Sequence, residues 1–208
     1  MASRSWNHNT RYHAALLRSV PSHTHRALDI GCGDGSFARR LASRADRVVA
    51  IDTDPAQVGK AELACVGLSN VTVVEADLLA APFQDASFDL ATALAVLHHV
   101  PFEEGVGAMV RLLRPGGTLL VLGVWEDRTT RTDALWNQAG SVANRTYQRL
   151  WGPDVMSAPQ RPPAMTLREV RFAARLLLPG SRIRRYPLWR YTLVWRKPGR
   201  PGPKPGPA

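Results

Sequence analysis

The chain has 208 residues, enough for one domain with a full core. Its 45% hydrophobic and 21% charged residues match soluble globular proteins and exclude a disordered class, and no run of about 18 apolar residues is present to span a bilayer. The formal charge of +10 is uneven: residues 1–160 carry 15 Lys/Arg against 16 Asp/Glu, whereas residues 161–208 carry 12 against Glu169 alone.

The first residues, Met1-Ala-Ser-Arg-Ser-Trp-Asn-His8, lack the apolar core and cleavage site of a secretory signal, so a cytoplasmic protein is expected. Residues 8–18 read as a short amphipathic helix that stops before Pro21. A first strand at 27–31 ends in Gly31-Cys32-Gly33-Asp34-Gly35, and a helix follows over 36–44. A second strand at 47–52 closes on Asp52. Asp54-Pro55 then has the form of an N-cap with proline at the first helical position, opening a helix to about Cys65. Strands are predicted at 71–77 and 88–96, the latter apolar enough for burial on both faces. A helix from Pro101-Phe102 ends at Leu113-Arg-Pro-Gly-Gly117, before a fifth strand at 118–124.

Strand and helix alternate with short links, which predicts a parallel sheet covered on both faces. The pattern then changes. Residues 133–151 read as helical, and Pro153 to Pro163 form a proline-rich link. Thr166-Leu-Arg-Glu169 is a capping box heading a helix to about Leu178. Residues 182–186 and 188–196 read as two strands, with Trp189, Tyr191, Leu193 and Trp195 on one face. The expected architecture is an α/β, Rossmann-like seven-stranded sheet, mostly parallel with a C-terminal antiparallel pair. It forms a single domain over 1–198, with a disordered Pro/Gly tail at 199–208.

Alternating glycines after a strand let backbone approach a ligand, and Asp52, twenty-one positions after Gly31, is placed for a ribose. A dinucleotide loop needs Gly or Ala where this chain has Ser36, and Asp29 and Asp34 would repel a pyrophosphate. Two carboxylates suit a cationic ligand instead. Cys32 and Cys65 have no partner at metal-ligand spacing and are expected to be reduced, with no metal bound.

From residue 27 to 124 the chain resembles the class I S-adenosylmethionine-dependent methyltransferases, in particular their small-molecule, methyltransferase type 11-like branch. Leu28-Asp29-Ile-Gly31-Cys-Gly33-Asp-Gly35 is similar to their first motif, and Ala93-Leu94-Ala-Val-Leu97-His98-His99-Val100 to their fourth-strand motif. Leu112-Leu-Arg-Pro-Gly-Gly117 resembles the turn before strand five. The resemblance implies S-adenosylmethionine as cofactor and S-adenosylhomocysteine as product. It implies cofactor contacts from Tyr12, Asp29, Gly31, Cys32, Gly33, Asp52, Thr53, Gln57, Asp77, Leu78, Ala93, Leu94 and His98.

In that frame Asp52 accepts the ribose hydroxyls, while Asp77 and Leu78 meet the adenine. Gln57 departs from the usual apolar residue and is either an adenine neighbour or an exposed helix position. Residues 1–22 are expected to form a lid, with Tyr12 over the cofactor or packed. Residues 125–163 are a candidate acceptor-site insert. His98 and His99 are candidate bases at the end of the fourth strand, or packing residues near the cofactor. The favoured acceptor is a small organic molecule rather than nucleic acid or membrane, in a monomer or homodimer. A nucleic-acid methyltransferase using the basic C-terminus, an NAD-dependent reductase and a non-catalytic partner subunit remain as alternatives.

Overall fold

A computed structural model of the chain describes residues 10–126, 162–187 and 189–199. Seven strands form one sheet in the order β3-β2-β1-β4-β5-β7-β6. They are β1 (Thr24–Ile30), β2 (Ala45–Asp52), β3 (Val71–Glu75), β4 (Phe88–Leu94), β5 (Leu113–Val124), β6 (Arg182–Tyr186) and β7 (Arg190–Arg196). The first five pair in parallel, and β7 runs antiparallel between β5 and β6. The order reverses between β1 and β4, the place where an open α/β sheet leaves a ligand crevice at its carboxyl edge.

The helices are α1 (Thr10–Leu17), α2 (Ala38–Leu41), α3 (Pro55–Cys65), α4 (Phe102–Leu112) and α5 (Leu167–Leu177). Two cores form because β4 and β5 are apolar on both sides. Leu90, Leu120 and Leu122 join Tyr12, Leu16, Phe37, Leu41 and Ala61 on one face. Phe88, Leu119 and Val121 join Met109, Leu112, Val170 and Ala174 on the other.

The caps follow their local chemistry. Asp54 accepts from the Ala56 amide at 2.9 Å with Pro55 behind it, and Thr166 and Glu169 close a reciprocal capping box. The Lys197 ammonium donates to the Val110 and Leu113 carbonyls, both at 2.7 Å, at the carboxyl end of α4.

Some expected elements differ. Only 38–41 of the helix predicted over 36–44 is regular, because residues 37–44 mix bonds three and four residues back before β2 begins at Ala45. The predicted turn at 113–117 is instead the start of β5. Gly116 and Gly117 exchange backbone bonds with Lys197, extending the β5–β7 ladder, and the extra length is taken up by a register shift against β4 between Phe88 and Leu90. In α1, Tyr12 and Leu16 are buried, and the Tyr12 hydroxyl donates to the Pro187 carbonyl at 3.0 Å; residues 1–9 of the expected lid lie outside the described residues.

Gly123 pairs with Tyr191 across the β5–β7 ladder, and a Cβ on it would lie 2.1–2.3 Å from Tyr191 ring atoms. Tyr191 is buried, so its ring would have to shift within the core. Gly123→Ala is therefore expected to lower unfolding stability by about 3 kcal/mol, as overpacking of a closed site does. Urea denaturation measures it, and a loss near zero would show the ring to be free.

Candidate active site

The glycine loop leaves β1 with Gly31, Gly33 and Gly35 at φ of +60, +54 and +74°, in the region that disfavours any side chain. They have different reasons to be glycine. A Cβ on Gly31 would press on Val96 Cγ2 at 2.3 Å, and one on Gly35 would lie 2.9 Å from Cα of Ala61. The first lets the loop after β4 close on the glycine loop, and the second lets α3 pack against it. A Cβ on Gly33 meets nothing within 4 Å, so that glycine faces open space.

Gly33→Ala is accordingly expected to cost about 1–2 kcal/mol of stability, from backbone strain alone. It should also weaken S-adenosylhomocysteine binding by filling that space. Gly35→Ala carries the same strain plus a backbone clash of about 1–3 kcal/mol. Paired denaturation and calorimetry should separate the two variants, and equal stability losses would refute the division.

Asp52 ends β2 half-buried, and both its oxygens are held by the backbone: Oδ2 accepts from the Gly33 amide at 2.9 Å and Oδ1 from the Asp54 amide at 3.0 Å. The glycine loop and the start of α3 thus orient one carboxylate. The Ala76 amide donates to the Asp52 carbonyl at 3.0 Å, which joins the end of β3 to the same edge. Beyond it Asp77 is exposed, with Oδ1 accepting from Leu79, and Leu78 is buried beside it. Thr53 is exposed. Gln57 is 3% exposed, which removes the exposed-helix alternative.

Asp29 is 1% exposed; Oδ1 accepts from the Thr92 hydroxyl at 2.7 Å, and Oδ2 is buried without a partner. Burial, with a contribution from Asp52, pushes its pKa up to about 7 despite the Thr92 bond. An unpaired buried carboxylate oxygen is costly, and a cationic group would compensate it. Asp34 is half-buried rather than exposed, and its Oδ1 accepts from the Ser36 amide at 3.0 Å.

Cys32 and Cys65 are free thiols, both raised above the ordinary range by burial. The Cys32 amide donates to the Ile51 carbonyl and its carbonyl accepts from Gly35, so its part is to shape the loop.

At the end of β4, Ala93 is buried and Leu94 half-buried. Ala95 follows at φ +57°, a strained conformation for alanine costing about 1–2 kcal/mol, held by its amide bond to the Leu122 carbonyl at 2.7 Å. No sequence signal marked Ala95; an alanine carries no turn chemistry. His98 is half-buried, with Nδ1 enclosed and unpartnered, and lies 4.0 Å in ring centroid from the exposed His99. Burial, then His99 and Arg190, lower the pKa of His98 to about 4.

Arg185 stacks 4.7 Å over the Trp125 ring. Trp125 starts the predicted insert, whose residues 127–161 lie outside the described residues, as do Trp6, His8 and the tail from 200. Tyr12 belongs to the α1 packing, with its ring edge against Tyr186 at 5.3 Å. Among the described residues no three His, Cys, Asp or Glu side chains group to hold a metal ion, and no helix is long and apolar enough to cross a membrane.

Comparison with known proteins agrees with this geometry. A family model described as a methyltransferase domain matches residues 28–121. An uncharacterized methyltransferase of Mycobacterium tuberculosis is 38% identical over 197 residues, covering 93% of this chain and 98% of the relative. A ubiquinone biosynthesis O-methyltransferase of Paraburkholderia phymatum is 36% identical over 132 residues, covering 56% of each. The crystal structure of the N-methyltransferase NodS from Bradyrhizobium japonicum shares the fold with a TM-score of 0.61 at 19% identity, covering 91% of this chain and 96% of that one. With its glycine loop, two edge carboxylates and strand order, the chain belongs to the class I S-adenosylmethionine-dependent methyltransferases.

Proposed function

We propose that the enzyme methylates a small organic acceptor by in-line displacement at the carboxyl edge of β1, β2 and β4. S-adenosylmethionine, when bound, supplies a methyl carbon already activated by its sulfonium. The protein's work is then orientation, which can supply about 7–11 kcal/mol.

The observation that carries this reading is the pair of carboxylates. Asp52, fixed by the Gly33 and Asp54 amides, retains lone pairs for two ribose hydroxyls. Asp29, with Oδ2 unpaired, suits an ammonium. In this reading Asp77, Leu78 and Gln57 meet the adenine, while Gly31, Cys32, Ala93 and Leu94 contact the rest of the cofactor. Thr53, exposed after Asp52, is the outermost of these cofactor contacts. The relative named for ubiquinone biosynthesis favours a small organic acceptor.

His98 serves as an uncharged neighbour of the acceptor at the end of β4 rather than as a holder of a full proton. With a pKa of about 4 it is uncharged above about pH 5, so the rate should show no imidazole titration from pH 6 to about 8. A limb in kcat that disappears in His98→Gln would instead make it the base. His99 is exposed and stays a neighbour that disfavours charge on His98.

Calorimetry with S-adenosylhomocysteine and with NADH tests the cofactor assignment, and transfer of labelled methyl to a panel of phenols, amines and RNA tests the acceptor. Tighter NADH binding, or transfer to RNA alone, would refute the proposal.

A further inference from the structure

The outer face of α5 combines features that the methyl-transfer site does not use. Arg168, Arg171 and Arg175, spaced i, i+3 and i+7, line one exposed stripe. Phe172 and Leu176, spaced i and i+4, line the next, and they are 65% and 67% exposed. The buried side of the helix, with Leu167, Val170 and Ala174, is already spent on the core. On the edge strand that follows, Arg182 and Arg184 are exposed as well.

Between residues 162 and 199 the chain carries nine cations and one acid, Glu169. That acid is occupied by the amide and hydroxyl of Thr166 in the capping box. No acid pairs with these five arginines among the described residues.

We infer that this face of α5 is a peripheral docking surface for an anionic lipid bilayer. Three occupants can be weighed by their chemistry. Nucleic acid would take the arginines and stack a base on Phe172 but leave Leu176 in water, since leucine has no ring face on which a base can stack. A second copy docked by two-fold symmetry would cover the apolar stripe but bring the arginine stripes of both copies together, like charge against like. An anionic bilayer takes both stripes: phosphates meet the guanidinium groups, while Phe172 and Leu176 enter the acyl boundary.

The start of α5 is tied to the end of β5 by the Glu126 amide bond to the Met165 carbonyl at 2.7 Å. The surface is independent of which acceptor the site takes.

Sedimentation of the full chain with vesicles tests it. Binding to vesicles of equal parts phosphatidylcholine and phosphatidylglycerol should exceed binding to phosphatidylcholine alone at least about tenfold, and salt should weaken it. Phe172→Ser with Leu176→Ser, keeping every charge, and Arg168→Gln with Arg171→Gln and Arg175→Gln should each lower it at least about tenfold. S-adenosylhomocysteine affinity should be unchanged in both, since neither touches the cofactor site, and this controls for folding. The inference fails if anionic vesicles are not bound, or if the serine variant binds them as well as the parent. It also fails if a single-stranded RNA is bound in preference to vesicles, or if the chain is a dimer that the serine variant dissociates.

Discussion

Asp52→Ala is expected to weaken S-adenosylhomocysteine binding by about 2–4 kcal/mol, through loss of two charge-assisted hydrogen bonds to the ribose. The same carboxylate accepts the Gly33 and Asp54 amides, so alanine also releases the glycine loop from its tie to the start of α3. Asp52→Asn separates the two contributions. Its one carbonyl oxygen keeps one amide bond while the charge is gone, so its affinity should fall between parent and alanine. Calorimetry on both, with thermal denaturation as a folding control, measures this. Parent-like affinity in Asp52→Ala would refute the ribose assignment.

Asp29→Asn is expected to move stability and binding in opposite directions. Burial lifts the Asp29 pKa from its ordinary value of 3.8 to about 7. An acid whose folded pKa lies above its unfolded value destabilises the fold as pH rises past the unfolded value, and the cost saturates above the folded one. Here the cost grows from about pH 4 and levels off above about pH 7, at roughly 4 kcal/mol as an order of magnitude.

Asparagine removes that penalty, keeps an acceptor for Thr92, and leaves one buried N–H group unpaired at about 1–3 kcal/mol. The variant should thus be about 1–3 kcal/mol more stable than the parent at pH 8, and no more stable at pH 4. Cofactor affinity should nevertheless drop at least about tenfold, because the ammonium loses its counter-charge. In the parent, affinity should rise as pH climbs through about 7 and Asp29 ionises. Denaturation at the two pH values and calorimetry across the range check both halves. A variant less stable at pH 8, or one with parental affinity, would show that this carboxyl does not face a cation.

These carboxylates show how far the chain can be read. Asp29 and Asp52 are legible because each ends an apolar run at a strand's carboxyl end, and parallel strands bring such ends to one edge. The glycine loop, the Asp54 and Thr166 caps and the order of strands are local patterns of the same kind. Alternation of short strands and helices leaves few ways to bury both faces of β4. Local readings failed where distant partners decide. The Pro115-Gly116-Gly117 segment looks like a turn, but Lys197 pairs with it from the far end of the chain.

The amino-acid sequence by itself determined the α/β order, the placement of the acids at strand ends and the concentration of arginine near the carboxyl end. Those properties depend on period, capping and composition, which act over a few residues. Only the tertiary structure decided that Gly33 faces open space while Gly35 faces Ala61, that Ala95 sits in a strained turn, and that Asp29 is buried with one oxygen unpaired. Each of these depends on what another element brings within a few ångströms, and burial of charge is a property of the packed chain rather than of any residue in it.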